Sequence, residues 1–132
     1  MKEHVFRLKK GDYLKESLMA YMKEHNISSA VVLCAVGSLL ELNIRLADAK
    51  DYLVKQEHYE IVSLIGTLCN DSCHLHISVS DKQGNVFGGH LENGNMINTT
   101  CEVVLGELED YKLSRTFDET TGFKELQVEC IR

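Results

Sequence analysis

Apolar and polar residues alternate over most of the chain in short runs, which is the period of strands that bury one face. Residues 14–25 differ, because their apolar positions recur at helical spacing. Asp12 stands where a helix N-cap is expected, and Asn26 where a helix is often closed. The pattern therefore predicts a first strand at about 4–9 and one helix behind it.

The remaining apolar runs predict further strands. Residues 27–42 are almost continuously apolar, which is typical of a strand buried on both faces, here against the helix on one side and a partner on the other. Gly37-Ser38 predicts a bulge or bend in it. Alternation along 59–69 predicts one face made of Ile61, Ser63, Ile65, Thr67 and Cys69. The segment 110–122 is polar and is predicted to be irregular. The pattern as a whole predicts an α+β protein of about seven or eight strands, with one helix covering a face of the sheet.

Composition narrows the functional classes. The 132 residues predict a single domain spanning 1–132. A net charge of −6 argues against general binding of nucleic acid or anionic membranes, because phosphate contacts need Lys and Arg. Neither an apolar run long enough to span a membrane nor the pattern of a signal peptide is present. Five cysteines, an odd number set mostly in apolar runs, indicate reduced thiols and a cytoplasmic location.

Three of the six histidines fall within residues 73–91. His74 and His76 are two apart in an alternating run, so they share one face of a strand. The turn-forming residues 81–85 predict a hairpin whose return strand carries His90. Three imidazoles are a good ligand set for zinc and other late divalent ions. The same spacing is also consistent with half-buried histidines of the core or of a subunit interface.

Other polar residues are candidates for supporting roles. Glu60 heads a strand next to the hairpin and is predicted either to orient a ligating histidine, to act as a base, or to face solvent. Arg45 is predicted either to bind an anionic ligand or to be a surface charge of the sheet. Cys73 has the opposite strand parity from His74 and His76, so it is predicted to be a buried thiol.

Several motifs together resemble the prokaryotic PPC-domain family (plant and prokaryote conserved domain). The specific part is His-Leu-His at 74–76 followed by Gly-Gly-His-Leu at 88–91. Supporting motifs are Gly11 at the helix start, Ala-Val-Gly-Ser-Leu at 35–39, Glu-Ile-Val-Ser-Leu-Ile-Gly at 60–66, Asp81 with Gly84, the strand around Glu102, and Phe117 with Thr-Gly-Phe at 121–123.

The resemblance implies an α+β fold with a curved, mainly antiparallel sheet that assembles as a homotrimer. It also implies a divalent metal site, with zinc as the first choice, at His74, His76 and His90. In plants this domain follows an AT-hook, which needs an Arg-Gly-Arg-Pro core, and this chain has no proline. We therefore expect a small trimeric metal-binding protein whose enzymatic activity the sequence does not assign. DNA binding or regulation, and a partner- or ligand-binding trimer surface, are the alternatives.

Overall fold

The computed structural model describes residues 1–132 and contains one helix and ten strands. Chain order is β1 (Lys2–Lys9), α1 (Leu14–Glu24), β2 (Ser29–Leu39), β3 (Leu42–Arg45), β4 (Tyr52–Lys55), β5 (Tyr59–Cys69), β6 (Cys73–Ser80), β7 (Val86–Leu91), β8 (Ile97–Glu107), β9 (Tyr111–Asp118) and β10 (Phe123–Cys130). Eight strands form one sheet in the order β1-β8-β2-β5-β6-β7-β3-β4, and every pairing in it is antiparallel. The predicted α+β fold with one helix and a large antiparallel sheet is confirmed. The 11-residue helix is too short and too polar to cross a membrane.

The core lies between the helix and one face of the sheet. Leu14, Leu18 and Met22 line one side of α1 and are fully buried. They belong to one apolar cluster of 23 buried residues, to which every second residue of β6, such as Leu75 and Ile77, also contributes. The side chains between them in β6 therefore point to the opposite face, which the helix leaves uncovered.

The start of the helix differs from the prediction. The N-cap is Tyr13, and no side chain caps the first turn. Asp12 instead accepts a hydrogen bond from the backbone N–H of Lys9 at 2.8 Å, so its carboxylate closes the turn after β1. Asn26 has φ 55°, as expected for the left-handed residue that follows a helix.

Within one chain, residues 27–42 are buried on the helix side only, and the partner predicted for the other side stays a prediction. Leu33 and Val36 of β2 are 48% and 50% exposed. The register to β8 shifts between Val32 and Cys34, and this bulge leaves both Leu33 and Cys34 exposed. A second register shift follows Gly37, where the sequence predicted a bulge.

A bulge in β5 also divides the face that was predicted for residues 59–69. The register to β6 shifts between Ile61 and Ser63, so Ile61 is buried whereas Ser63 and Ile65 are exposed. Val62, at the bulge, is exposed as well. Exposed apolar residues of the two neighbouring strands thus lie together, and we call them the apolar face: Leu33, Cys34, Val36, Val62 and Ile65.

The segment predicted to be irregular contains β9, which pairs with β10 in a separate two-stranded ribbon. Of the eight residues of β9 only Leu113 is buried, so the strand lacks the apolar alternation that would reveal it. The ribbon is joined to the main sheet through the backbone N–H of Leu113, which donates to Ser29 Oγ at 2.8 Å.

Candidate metal centre

The predicted histidine hairpin is formed by β6 and β7. Its turn is organised by Asp81, whose Oδ1 accepts hydrogen bonds from the backbone N–H groups of Gln83 and Asn85, both at 2.9 Å. Gly84 supplies the positive φ of 84° that this turn requires. These contacts pair β7 with β6 in one register, and the register decides which side chains meet.

That register brings the three histidines together on the uncovered face of the sheet. His76 lies directly opposite His90, and His74 is two residues along the same face of β6. Ligand nitrogens of the three rings all lie within 4.8 Å of one another. The Nε2 atoms of His74 and His76 are 3.2 Å apart. The cluster therefore closes within one chain.

The two glycines before His90 allow the flanking strands to approach. A side chain at Gly88 would collide with the backbone oxygen of Ile77 on β6. At Gly89 it would collide with the backbone oxygen of Arg45 on β3. The sequence predicted a close approach at these glycines, and β7 is indeed close to both of its neighbours, β6 and β3. On the β6 side, this approach sets the distance between the strands that carry the histidines.

The spacing of the nitrogens fits a tetrahedral ion. Zn–N bonds of about 2.0–2.1 Å place two ligand nitrogens about 3.3 Å apart in tetrahedral geometry. The pair on β6 matches this separation at 3.2 Å, and the three ligand nitrogens lie within 4.8 Å of one another. His90 Nδ1 is buried and has no hydrogen-bond partner in the protein. Such an atom is costly unless a ligand, such as a metal ion, satisfies it.

The electrostatics of the cluster favour neutral imidazoles. Burial lowers the pKa of His74, and the neighbouring His76 and Arg115 lower it further. The pKa of His90 is lowered to about 4; burial is the largest cause, and the positive charge of Arg45 is the next. Neutral imidazole is the form that binds metal ions, so these two rings are ready to ligate at neutral pH.

The other candidate residues lie in different places. Arg45 is directly opposite His90 in the β3–β7 pair, so it adjoins the cluster. Glu60 is opposite Ser80 and lines a separate cavity with Asp81, so the structure does not bring it to the histidines. Cys73 packs against the core on the side that its parity predicted, but it is half-buried rather than buried and also lines the cavity next to His74; burial raises the pKa of its thiol.

Sequence reasoning missed the contribution of the ribbon to this region. Arg115 of β9 donates through Nη2 to Thr67 Oγ1 at 2.9 Å, and Thr67 lies opposite His74. Phe123 and Lys124 of β10 line a cavity that also reaches His74. No local pattern identifies these residues, because the ribbon meets strands that are distant in sequence: Arg115 and Thr67 of β5 are 48 positions apart.

Fold and site define a small α+β sheet protein with three converging imidazoles on the sheet face opposite the helix. Residues 1–109 match the Plants and Prokaryotes Conserved (PCC) domain, and the chain belongs to this family, the one that its histidine motifs resemble.

Individual relatives extend this comparison. Bifunctional protein GlmU of Synechococcus sp. (strain JA-3-3Ab) is 42% identical over 132 residues, which are 99% of this chain and 21% of that protein. The chain thus spans about a fifth of the length of this curated relative. A hypothetical protein of Salmonella enterica has a similar structure, with a TM-score of 0.95 and 30% identity, covering 99% of this chain and 95% of that one. A metal-containing protein of Archaeoglobus fulgidus has a TM-score of 0.78 and 29% identity, covering 96% and 94%.

Proposed function

We propose that this PCC-domain protein binds a divalent metal ion, with zinc as the first choice, through His74, His76 and His90. The observation that carries the proposal is the convergence of three ligand nitrogens within 4.8 Å on adjacent strands. Three neutral imidazoles with a further position facing solvent are the ligand set of catalytic zinc sites. The likeness to a metal-containing structure supports the same conclusion.

Accessibility of the cluster supports a role beyond stabilising the fold. His74 and His76 are exposed, so an exogenous molecule can reach an ion held there. A site of this kind supplies a Lewis acid or an activated water when it is loaded. Hydrolase-like or lyase-like activity is therefore the class of chemistry to assay.

Metal analysis of purified protein tests the proposal. We expect wild-type protein that has been dialysed against a low concentration of zinc to retain about one zinc ion per chain. His76→Ala is expected to retain far less, because two imidazoles rarely hold zinc alone. His58→Ala is the matched control, since His58 lies outside the cluster and contacts Asn98 instead. Equal, negligible zinc in all three proteins contradicts the proposal.

We further propose that the protein is a homotrimer assembled through the apolar face. Four aliphatic side chains of this surface are about half exposed or more, on two adjacent strands in the middle of the sheet. Contiguous apolar surface of this kind marks interaction sites. A cytoplasmic location is part of the same proposal, and it is supported by five unpaired thiols.

DNA binding is the alternative from the family's plant branch. It requires a basic surface, and the chain carries 20 acidic against 14 basic residues. We therefore rank it below metal binding.

A further inference from the structure

A cavity of about 370 Å³ lies beside the histidine cluster, between the main sheet and the β9–β10 ribbon. His74 and His90 form one wall of it, whereas His76 does not line it. Arg45 enters from β3, and Arg115 enters from the ribbon. The volume falls in the range of small-molecule sites.

Positive charge is concentrated in this cavity, although the chain as a whole is acidic. Three cationic side chains line it, from Arg45, Arg115 and Lys124, against a single carboxylate, Glu125. No carboxylate lies within 4.0 Å of the guanidinium of Arg45 or Arg115. The ion pairs of the structure are the N-terminus with Glu109, His4 with Glu107, and Arg132 with Asp110. Two half-buried arginines without counter-ions are unfavourable unless an anion neutralises them.

Hydrogen-bonding groups in the cavity are also unsatisfied. Arg115 is positioned by its Nη2 bond to Thr67, yet its Nε is buried and has no partner. Ser72 Oγ, on the same cavity wall, is buried without a partner as well. Buried donors of native proteins are nearly always paired, so these two groups leave the polar wall of the cavity incompletely satisfied.

The second arginine is oriented by an aromatic ring. The guanidinium carbon of Arg45 lies 5.5 Å from the centroid of the Phe123 ring, at cation–π distance. A guanidinium that rests on a ring keeps its N–H edge free, which suits it for binding the oxygens of an anion. Both arginines are thus held by neutral contacts that leave donors unused.

We propose that this cavity binds a small molecule through a phosphate or carboxylate group held by Arg45 and Arg115. The guanidinium groups supply paired N–H donors that match the oxygens of either group. Lys124, which is exposed, adds positive charge at the rim. The rest of the ligand extends toward His74 and His90. The proposal does not rest on metal binding, since neither arginine belongs to the histidine cluster.

Anion titration of the metal-free protein tests this directly. Inorganic phosphate and malonate are added separately at constant ionic strength, and the Nε–H signal of Arg115 is followed by NMR together with binding heat. We expect a saturable shift with at least one of the two anions, and the responding anion identifies the class of ligand group. A saturable response to neither anion overturns the proposal.

Substitutions locate the binding. Arg115→Gln and Arg45→Gln are each expected to weaken binding about tenfold or more, as for the loss of a charged hydrogen bond. Lys112→Gln, an exposed residue of β9 outside the cavity, is the matched control and retains wild-type affinity. Wild-type affinity in both arginine variants, or equal weakening in the control, contradicts the proposal. If circular dichroism shows that Arg115→Gln is unfolded, Arg45→Gln on β3 decides.

One variant separates this proposal from metal binding. Metal-free His76→Ala is expected to bind the anion as wild type does, because His76 does not line the cavity. Failure of the zinc experiment with an intact anion response refutes the metal site alone. Loss of the anion response in metal-free His76→Ala refutes the independent cavity.

Discussion

Replacement of Leu33 by Asp is the sharpest test of the apolar face. Leu33 is 48% exposed at the bulge of β2, in the middle of the sheet, and it contributes nothing to the buried core. The substitution is therefore expected to leave the fold of one chain intact. Its effect falls on whatever covers this face in solution, which we propose to be further copies of the chain.

The exposures determine the expected magnitude. Leu33, Val36, Val62 and Ile65 are between 48% and 62% exposed. Full burial of an aliphatic side chain is worth about 1.5–3 kcal/mol, so covering each half-exposed residue contributes about 1 kcal/mol. Leu33→Asp loses this contribution and adds about 2 kcal/mol or more for moving a charged group into an apolar contact. We therefore expect assembly to weaken by a factor of more than about one hundred.

Sedimentation equilibrium measures the effect. The wild-type protein is expected at about 45 kDa, three times the chain mass of 14.9 kDa, and Leu33→Asp is expected to dissociate. Val128→Asp, 60% exposed on the separate ribbon, is the matched control and remains assembled. Thiol labelling adds a local readout, because Cys34 becomes reactive on dissociation whereas exposed Cys130 reacts in both states. A monomeric wild type, or a variant that sediments like wild type, refutes the reasoning.

Three further predictions concern the hairpin and the charge. Gly89→Ala is expected to destabilise the protein by about 1–3 kcal/mol in urea unfolding, because the added Cβ overlaps the backbone oxygen of Arg45. Val86→Ala, at an exposed position of the same strand, is the control and is expected to change stability by less than about 0.5 kcal/mol. In metal-free protein, His90 is expected to titrate near pH 4 by NMR. The free energy of unfolding is then expected to fall as the pH drops from about 6.5 toward 4, because His90 of the unfolded chain takes up a proton that the folded chain does not. Titration of His90 near pH 6.5 contradicts this prediction. Fluorescence anisotropy is expected to show no DNA binding at about 50 mM salt, and saturable binding there restores the alternative.

Local patterns predicted much of the site. The two-residue spacing of His74 and His76 determined that they share a face, and the same parity directed Cys73 toward the core, as the structure shows. The turn after β6 was recognisable from its residue types, and it makes His90 the third member of the cluster. The Gly-Gly pair indicated a close strand approach, which both neighbouring strands make.

The errors have a common origin in features that depend on a partner strand. Both missed bulges, at Val32/Cys34 and Ile61/Ser63, are irregularities of register between two strands. A register shift is set by pairing, so the apolar run of β2 did not indicate which of its residues would be exposed within one chain. The strand β9 was missed because a two-stranded ribbon that buries one residue carries no apolar alternation.

The sequence by itself determined the class of fold, the histidine hairpin and the faces on which its side chains lie, because periodicity and turn chemistry are local properties. Only the tertiary structure decided what surrounds the cluster. Arg45 comes beside His90 through the pairing of β3 with β7, and Arg115 reaches Thr67 from a ribbon elsewhere in the chain. These contacts join residues distant in sequence, so strand order and packing create the cationic cavity, and no local pattern encodes it.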